Sequence, residues 1–484
     1  MAAPSQPSEF QASVSDILSR VPEKSREVVK NFFDNLDLSF VDKQEIEKAE
    51  SWIEWARRLK YLKLVSADVP DFILPKDCSG ELIDGKVFCK RGPDDQIYDT
   101  YPAVRNKVAR GNCFLRITRG KHRGTRCILY ALKKFTGGLG DDDDRDRGDN
   151  HTWKKYFTKP LDQATKIVAT RKANGEAAHL SCINIDGQNL ICAGSKNVHL
   201  LIRNRADIQF YRGDRYRIAH EVCHCIMDCL EEMESEQKDR LLDFLVHTRF
   251  TAVFEILVPG HQHVEDLSHL EKPVMQFITW TSTELEPDPQ QKLCTVPPHV
   301  GIEIAKSLGL MTVDYDVLAA SDVESRMKQI RKGYLYEGEV LYFLDETDNV
   351  IGLLKKKTVW YIICRAIREK SRNAATEMTK NRSEFSESKV ITRTEKRMSE
   401  IQSWLGLSDE VISSWKNLGI GFLKWILKKV EAGEKSISDI GDQFPVIWKE
   451  FLAEEGLTDN IPVECSEPDT ELEQSDGTSA SGYS

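Results

Sequence analysis

The sequence predicts an α+β protein. Three observations carry that expectation. Apolar runs of strand length crowd the stretch from Val108 to Leu354, a hairpin signal stands at Asp186-Gly187 between two such runs, and the segments on either side carry apolar residues at helical spacing. The pattern divides the chain into a helical and loop-rich N-terminal region (1–105), a strand-rich domain (106–370), an all-helical C-terminal domain (390–455) and an acidic tail (456–484) expected to be disordered.

With 484 residues the chain is long enough for about three domains and a sizeable core. A net charge of -10 and a pI near 5.7 argue against wholesale coating of nucleic acid but leave room for a local basic groove. No apolar run approaches the roughly 18 residues of a membrane span, and Leu418 to Leu427 is interrupted by Lys424. Met1-Ala2-Ala3-Pro4-Ser5 lacks the basic start and apolar stretch of a secretory signal, so an intracellular address is expected, cytoplasmic or nuclear. The twelve cysteines are scattered, which suggests reduced thiols rather than a disulfide framework.

Residues 9–63 read as helical, with Val28-Val29, Phe32-Phe33, Trp52 and Trp55 at helical spacing. Pro70, Pro75, Pro93 and Pro102 make 64–105 a region of loops and edge strands. Strands follow at Cys113 to Ile117 and Arg126 to Tyr130. The run Asp141 to Asp144 reads as a solvated loop. Ile167 to Thr170 is a strand, then a hairpin spans His179 to Ala193, and 215–247 is helical. Strands return at Phe250 to Val258 and Val274 to Trp280, a helical stretch at 299–331, and a strand pair at Glu337 to Leu344 and Val350 to Leu354. Beyond Arg368 the chain turns polar and Ser-rich. It then becomes helical through Trp404, Trp415, Phe422 and Trp425, with stops at Gly406 and Gly433.

The stretch around which the chain is organised is Lys172-Ala173-Asn174-Gly175-Glu176, at the end of the strand that contains Thr170. A lysine there can present its amine to a pocket while Gly175 turns the backbone tightly. Later stretches supply matching parts in a fixed order: Gly194-Ser195-Lys196-Asn197, then Phe254-Glu255 among apolar neighbours, then Glu337-Gly338-Glu339-Val340, then Lys355-Lys356-Lys357 before Trp360-Tyr361. Glu255, alone in an apolar strand, needs a partner. By strand alternation Lys355 and Lys357 share a face, where they could cradle a phosphate.

This order resembles the covalent nucleotidyltransferases, most closely the phage-type RNA ligases and the fungal tRNA ligases, over Val108 to Arg368. The resemblance implies an antiparallel-sheet adenylyltransferase core and ATP-dependent joining of RNA 5′-phosphate and 3′-hydroxyl ends, with tRNA or RNA repair as the setting. In that family Lys172 would attack the α-phosphorus of ATP. Arg110, Lys134, Phe135, Thr170, Gly175, Lys196, Glu255, Gly338 and Tyr361 would bind the nucleotide. Lys355 and Lys357 would assist catalysis, and Glu337 and Glu255 would serve Mg2+ or Mn2+. Asn174 departs from the Asp of many ligases but resembles the fungal tRNA ligases.

For the amine to act it must lose its proton, and surrounding cations with partial burial would favour that. Arg116 to Arg126, Arg203, Arg205, Arg212 and Arg215 are candidates for an RNA backbone. No membrane or protein partner is implied, and a monomer is the default. The chain lacks the Gly-Lys-Ser/Thr loop and paired His-x-Thr motifs of kinase and phosphodiesterase activities. Three rivals stand beside this reading: nucleotide transfer to another acceptor (capping or AMPylation), a silent RNA-binding relative, and a zinc metalloprotease. The last rests on His220-Glu221-Val222-Cys223-His224, which lacks the downstream glycine and third histidine of the longer signature.

Overall fold

The computed structural model describes residues 7–90, 92–138, 140–141, 152–285 and 293–464. It is a mixed α+β structure with antiparallel sheets. Its strands are β1 (Leu62–Asp68), β2 (Ser79–Val87), β3 (Asn112–Arg119), β4 (Gly124–Tyr130), β5 (Lys166–Arg171), β6 (Glu176–Ile185), β7 (Gln188–Ser195), β8 (His199–Ile202), β9 (Phe250–Leu257), β10 (Val274–Ser282), β11 (Tyr315–Ala319), β12 (Gly338–Leu344) and β13 (Val350–Lys357). They form three sheets, ordered β1-β2-β3-β4, β10-β9-β6-β7-β8 and β11-β5-β12-β13.

The first two sheets pack against each other through an apolar core that includes Leu115, Leu129, Leu180, Cys192 and Phe254. Hydroxyls tie them as well: Ser181 donates to the Ile128 carbonyl at 2.5 Å and Thr281 to the Tyr130 carbonyl at 2.6 Å. The third sheet carries its own apolar layers, with Ile167, Ala169, Leu341 and Phe343 on one side and Val168, Val340, Tyr342 and Leu353 on the other. That alternation is what a strand buried on both faces requires.

Several sequence expectations need revision. β1 pairs with β2 and β2 with β3, so the first sheet crosses the boundary drawn at residue 106. The prolines of 64–105 mark connections and a helix start, Pro102 opening the helix Pro102–Lys107. The helical stretch 215–247 is two helices, Arg217–Glu232 and Ser235–Thr248, separated where Met233 and Glu234 turn extended. The stretch 299–331 contains β11 between two helices, a short edge strand whose alternation is too brief to stand out.

Asp141, expected in a solvated loop, is buried. Its carboxylate receives two bonds from Arg331, at 2.6 and 2.8 Å, and one from the Lys357 backbone N–H at 2.7 Å. Asp142, Asp143 and Asp144 lie outside the described residues.

The C-terminal helices Val359–Lys380, Glu387–Leu405, Asp409–Glu431, Ile437–Asp442 and Phe444–Glu455 share one core around Ile363, Met398, Trp415, Phe422 and Trp448. Gly406 ends its helix in the left-handed conformation, and Ser408 caps the next through the Val411 N–H, as the sequence suggests. The first of these helices follows directly on β13 of the third sheet and carries the start of the polar stretch as far as Lys380. The tail also begins ordered. Asp459 is buried and accepts bonds from Trp360 Nε1 (2.7 Å), Trp448 Nε1 (2.8 Å) and the Tyr334 hydroxyl (2.6 Å). Residues 465–484 lie outside the description.

No helix among the described residues is long and apolar enough to cross a membrane.

Candidate functional site

Lys172 sits where two sheets meet. β5 ends at Arg171 in the third sheet and β6 begins at Glu176 in the second, so the loop 172–175 is the seam between them. The loop is fixed by its backbone: Lys172 N–H donates to the Gly338 carbonyl at 2.9 Å. Gly175 lies so close to the Ile256 carbonyl that a Cβ would sit 2.0 Å from its oxygen. Gly338, at φ +147°, passes the neighbouring strand so closely that a Cβ would meet the Lys356 carbonyl oxygen at 2.1 Å. Both glycines are therefore required by space, and Gly338 by its conformation as well.

The centre of the site is Glu337, at the entry to β12 and almost wholly buried. One oxygen accepts from Lys172 Nζ at 3.0 Å and from Asn174 Nδ2 at 2.8 Å, while the other lies 3.4 Å from Lys357 Nζ. Asn174 Nδ2 also reaches the Tyr361 hydroxyl at 2.9 Å, and Lys357 Nζ stands 5.1 Å from the centre of the Tyr361 ring. Glu255, from β9, accepts from the Gly175 N–H at 3.3 Å and acts electrostatically on Lys172. Thr170 is buried beneath, its hydroxyl 3.4 Å from the Val340 carbonyl.

A second cationic group lies beside the first. Arg110 and Lys196 share one oxygen of Asp94, at 3.3 and 3.0 Å, and Lys134 is ion-paired with Asp95. Phe135 packs against the apolar layer of the third sheet. The 134–137 segment runs along β13: Lys355 N–H donates to the Thr136 carbonyl at 3.3 Å. Lys355 links the two groups, acting on Lys172 and Lys357 on one side and on Asp95 on the other. Lys356 faces away, 3.8 Å from Asp141, as strand alternation requires.

The electrostatics run against one expectation. Burial and Lys355 do work to remove the Lys172 proton, but Glu337 and Glu255 outweigh them and hold its pKa above the ordinary 10.5. Burial lowers Lys357 and Lys196. Glu337 is opposed by burial yet is kept low by Lys172 and Lys357. Burial pushes Glu255 up to about 7. The free protein thus stores Lys172 as an ammonium clamped between carboxylates.

Asp94 and Asp95 were not legible as site residues in the sequence, and neither was the Asp141–Arg331 pair beneath Lys357. The basic candidates for RNA are mostly occupied within the chain: Arg116 by Glu81, Arg126 by Asp42, Arg203 by Asp207, Arg205 by Asp228 and Glu231, and Arg215 by Asp84. Arg119, Arg123 and Arg212 are exposed. His220 and His224 belong to no three-ligand cluster among the described residues, and Glu221 faces outward beside Arg217. A cavity of about 780 Å³ lies elsewhere, between the N-terminal helices and the β4–β6 region, lined by Phe10, Phe33 and Ile128 together with Glu45, Arg126, Asp243 and Arg249.

Fold and site together define a mixed α+β protein with a buried Lys–Glu–Lys cluster at the seam of two antiparallel sheets. The chain belongs to a family described as a domain of unknown function, DUF7920, whose model matches residues 88–368. That span contains every residue of both cationic groups. No curated protein and no solved structure matches the chain.

Proposed function

We propose that the chain is an ATP-dependent RNA ligase that works through a covalent lysyl-AMP intermediate on Lys172. The observation that carries the proposal is the convergence on Lys172 of residues far apart in sequence. Glu337, 165 positions away, binds its amine at 3.0 Å, Lys357 holds the other oxygen, and Lys355 and Glu255 act on the same nitrogen. These are the residues that the resemblance to RNA ligases assigns to the reaction.

Lys172 Nζ would form a bond to the α-phosphorus of ATP as the bond from that phosphorus to the bridging oxygen breaks and pyrophosphate leaves. The amine must first give up its proton. A phosphate chain entering beside Lys355 and Lys357 would compete for the cations that now pair with carboxylates. Arg110, Lys134 and Lys196 would take the outer phosphates, and charge developing on the phosphorus oxygens would be stabilised by groups already in place. Glu255 and Glu337 offer the oxygen donors that hard cations take, so the donor set fits Mg2+ or Mn2+, which when bound would neutralise phosphate charge. The adenylate would then pass to an RNA 5′-phosphate, and attack by a 3′-hydroxyl would expel AMP and seal the strand.

The test is intact mass after incubation with ATP and a divalent cation, followed by a chase with 5′-phosphorylated RNA. The expected result is a gain of one AMP unit on Lys172, lost on the chase. GTP labelling, or AMP label that RNA does not discharge, would point to another acceptor. Failure of the protein to take up label, or label retained in Lys172→Ala, overturns the proposal.

A further inference from the structure

We infer that Glu176, His261 and His263 form a binding site for a divalent transition-metal ion of the zinc class, distinct from the Lys172 cluster. One ligand atom from each of the three lies within 4.8 Å of the others. The inference does not depend on the ligase reading.

The geometry is built by the residue between the two histidines. Gln262 is buried and forms an isolated parallel bridge with Gln443. Its N–H donates to the Asp442 carbonyl at 2.7 Å, and its amide bonds to the Pro259 carbonyl at 2.9 Å and to Gln443 at 3.2 Å. With Gln262 turned inward, His261 is left exposed and His263 half-buried, their ring centres 5.5 Å apart.

One of the two histidines is also held in place from behind. His261 Nδ1 lies 2.9 Å from an Asp442 carboxylate oxygen. A carboxylate on one imidazole nitrogen fixes the proton there, orients the ring and leaves Nε2 to bind, an arrangement that regularly accompanies metal-ligating histidines. Glu176 supplies the negative charge. Two imidazole nitrogens and one carboxylate leave positions open for water, and such a set favours Zn2+, Co2+ or Ni2+ over Mg2+.

The position gives the site a consequence. Glu176 opens β6 directly after the Lys172 loop, and Asp442 ends a helix of the C-terminal unit. A metal held here would join the loop, the 259–264 segment and the helical unit at the edge of the Lys172 site.

The experiment uses the full chain, stripped with a chelator, then titrated with Co2+ and followed by visible absorption, with Zn2+ uptake measured by equilibrium dialysis. One equivalent should bind, giving bands of nitrogen and oxygen donors without thiolate charge transfer, and excess Mg2+ should not displace it. Glu176→Gln, which removes the ligand charge, and Asp442→Asn, which loosens the hold on the His261 ring, should each weaken binding by about tenfold or more. His261→Ala with His263→Ala should abolish it, and His220→Ala should leave it unchanged. No stoichiometric uptake by the wild type, uptake indifferent to the His261 and His263 changes, or thiolate bands would each overturn the inference. Circular dichroism of every variant keeps a folding defect from passing as lost binding.

Discussion

Replacing Glu337 by Gln separates the charge of this residue from its shape. In the wild type its carboxylate holds Lys172 at 3.0 Å and Lys357 at 3.4 Å. At 3.0 Å and an effective dielectric near 20, one such attraction is about 5 kcal/mol before competing interactions are subtracted. If only about 1.4 kcal/mol of it survives the sharing with Lys357 and the remaining pull of Glu255, the neutral fraction of Lys172 still rises about tenfold. The assay is the rate at which acetic anhydride modifies Lys172, read by peptide mass across a pH series, with an exposed lysine as internal reference. Glu337→Gln should raise the Lys172 rate near neutral pH by at least that factor and move its pH midpoint down.

The same change should cost the fold stability, because two buried ammonium groups then face a neutral amide. Breaking a buried pair costs about 3–5 kcal/mol, and proton release from a lysine caps the loss. Denaturation should therefore show a deficit that shrinks as pH rises and the lysines discharge. An unchanged modification rate in Glu337→Gln would refute the claim that this carboxylate is what keeps Lys172 charged. A deficit that grows with pH would refute the account of its energetics.

Three further outcomes follow from the geometry. Glu255 has its pKa raised from 4.5 to about 7, so between those values the folded state binds the proton that the unfolded chain has lost. Stability should fall as pH rises through that window, by at most about 1.4 kcal/mol per pH unit from this group, and Glu255→Gln should flatten the slope in urea titrations. Asp459→Ala strips the acceptor from Trp360, Trp448 and Tyr334 and should destabilise by about 3 kcal/mol or more, seen as a lower denaturation midpoint in tryptophan fluorescence. A loss under about 1 kcal/mol would mean that the tail is not a staple. Asp94→Asn with Asp95→Asn frees Arg110, Lys196 and Lys134 from their carboxylates and should tighten ATP binding by about tenfold in calorimetry. Weaker binding would instead make the two acids part of the nucleotide site.

What the sequence could disclose about this site was limited by the kind of signal each residue leaves. Lys172, Glu337, Lys355 and Lys357 stand at strand ends beside glycines or turns, so their positions are locally constrained and their spacing can be read. Gly338 belongs with them because the close passage of β13 leaves no room for a side chain. Asp94 and Asp95 leave no such mark, since an acidic pair in a Pro- and Gly-flanked stretch looks like any solvated turn until Arg110, Lys134 and Lys196 arrive from connections elsewhere in the chain. Asp141 and Asp459 were misread for the same reason. Their partners are Arg331, 190 positions away, and Trp360, 99 positions away, and a local charge run or tail composition carries no trace of them. The sign of the Lys172 shift was missed through a subtler limit. Counting nearby lysines predicts a neutral amine, but in the free protein Glu337 and Glu255 act on Lys172 more strongly than Lys355 does. Four of the cations that the sequence marks as helpers are engaged with a carboxylate here, Lys357 with Glu337, Arg110 and Lys196 with Asp94, and Lys134 with Asp95. A polyanionic ligand would therefore act twice, drawing the cations to itself and releasing carboxylates from their present partners, and the charge state of Lys172 would follow from its arrival.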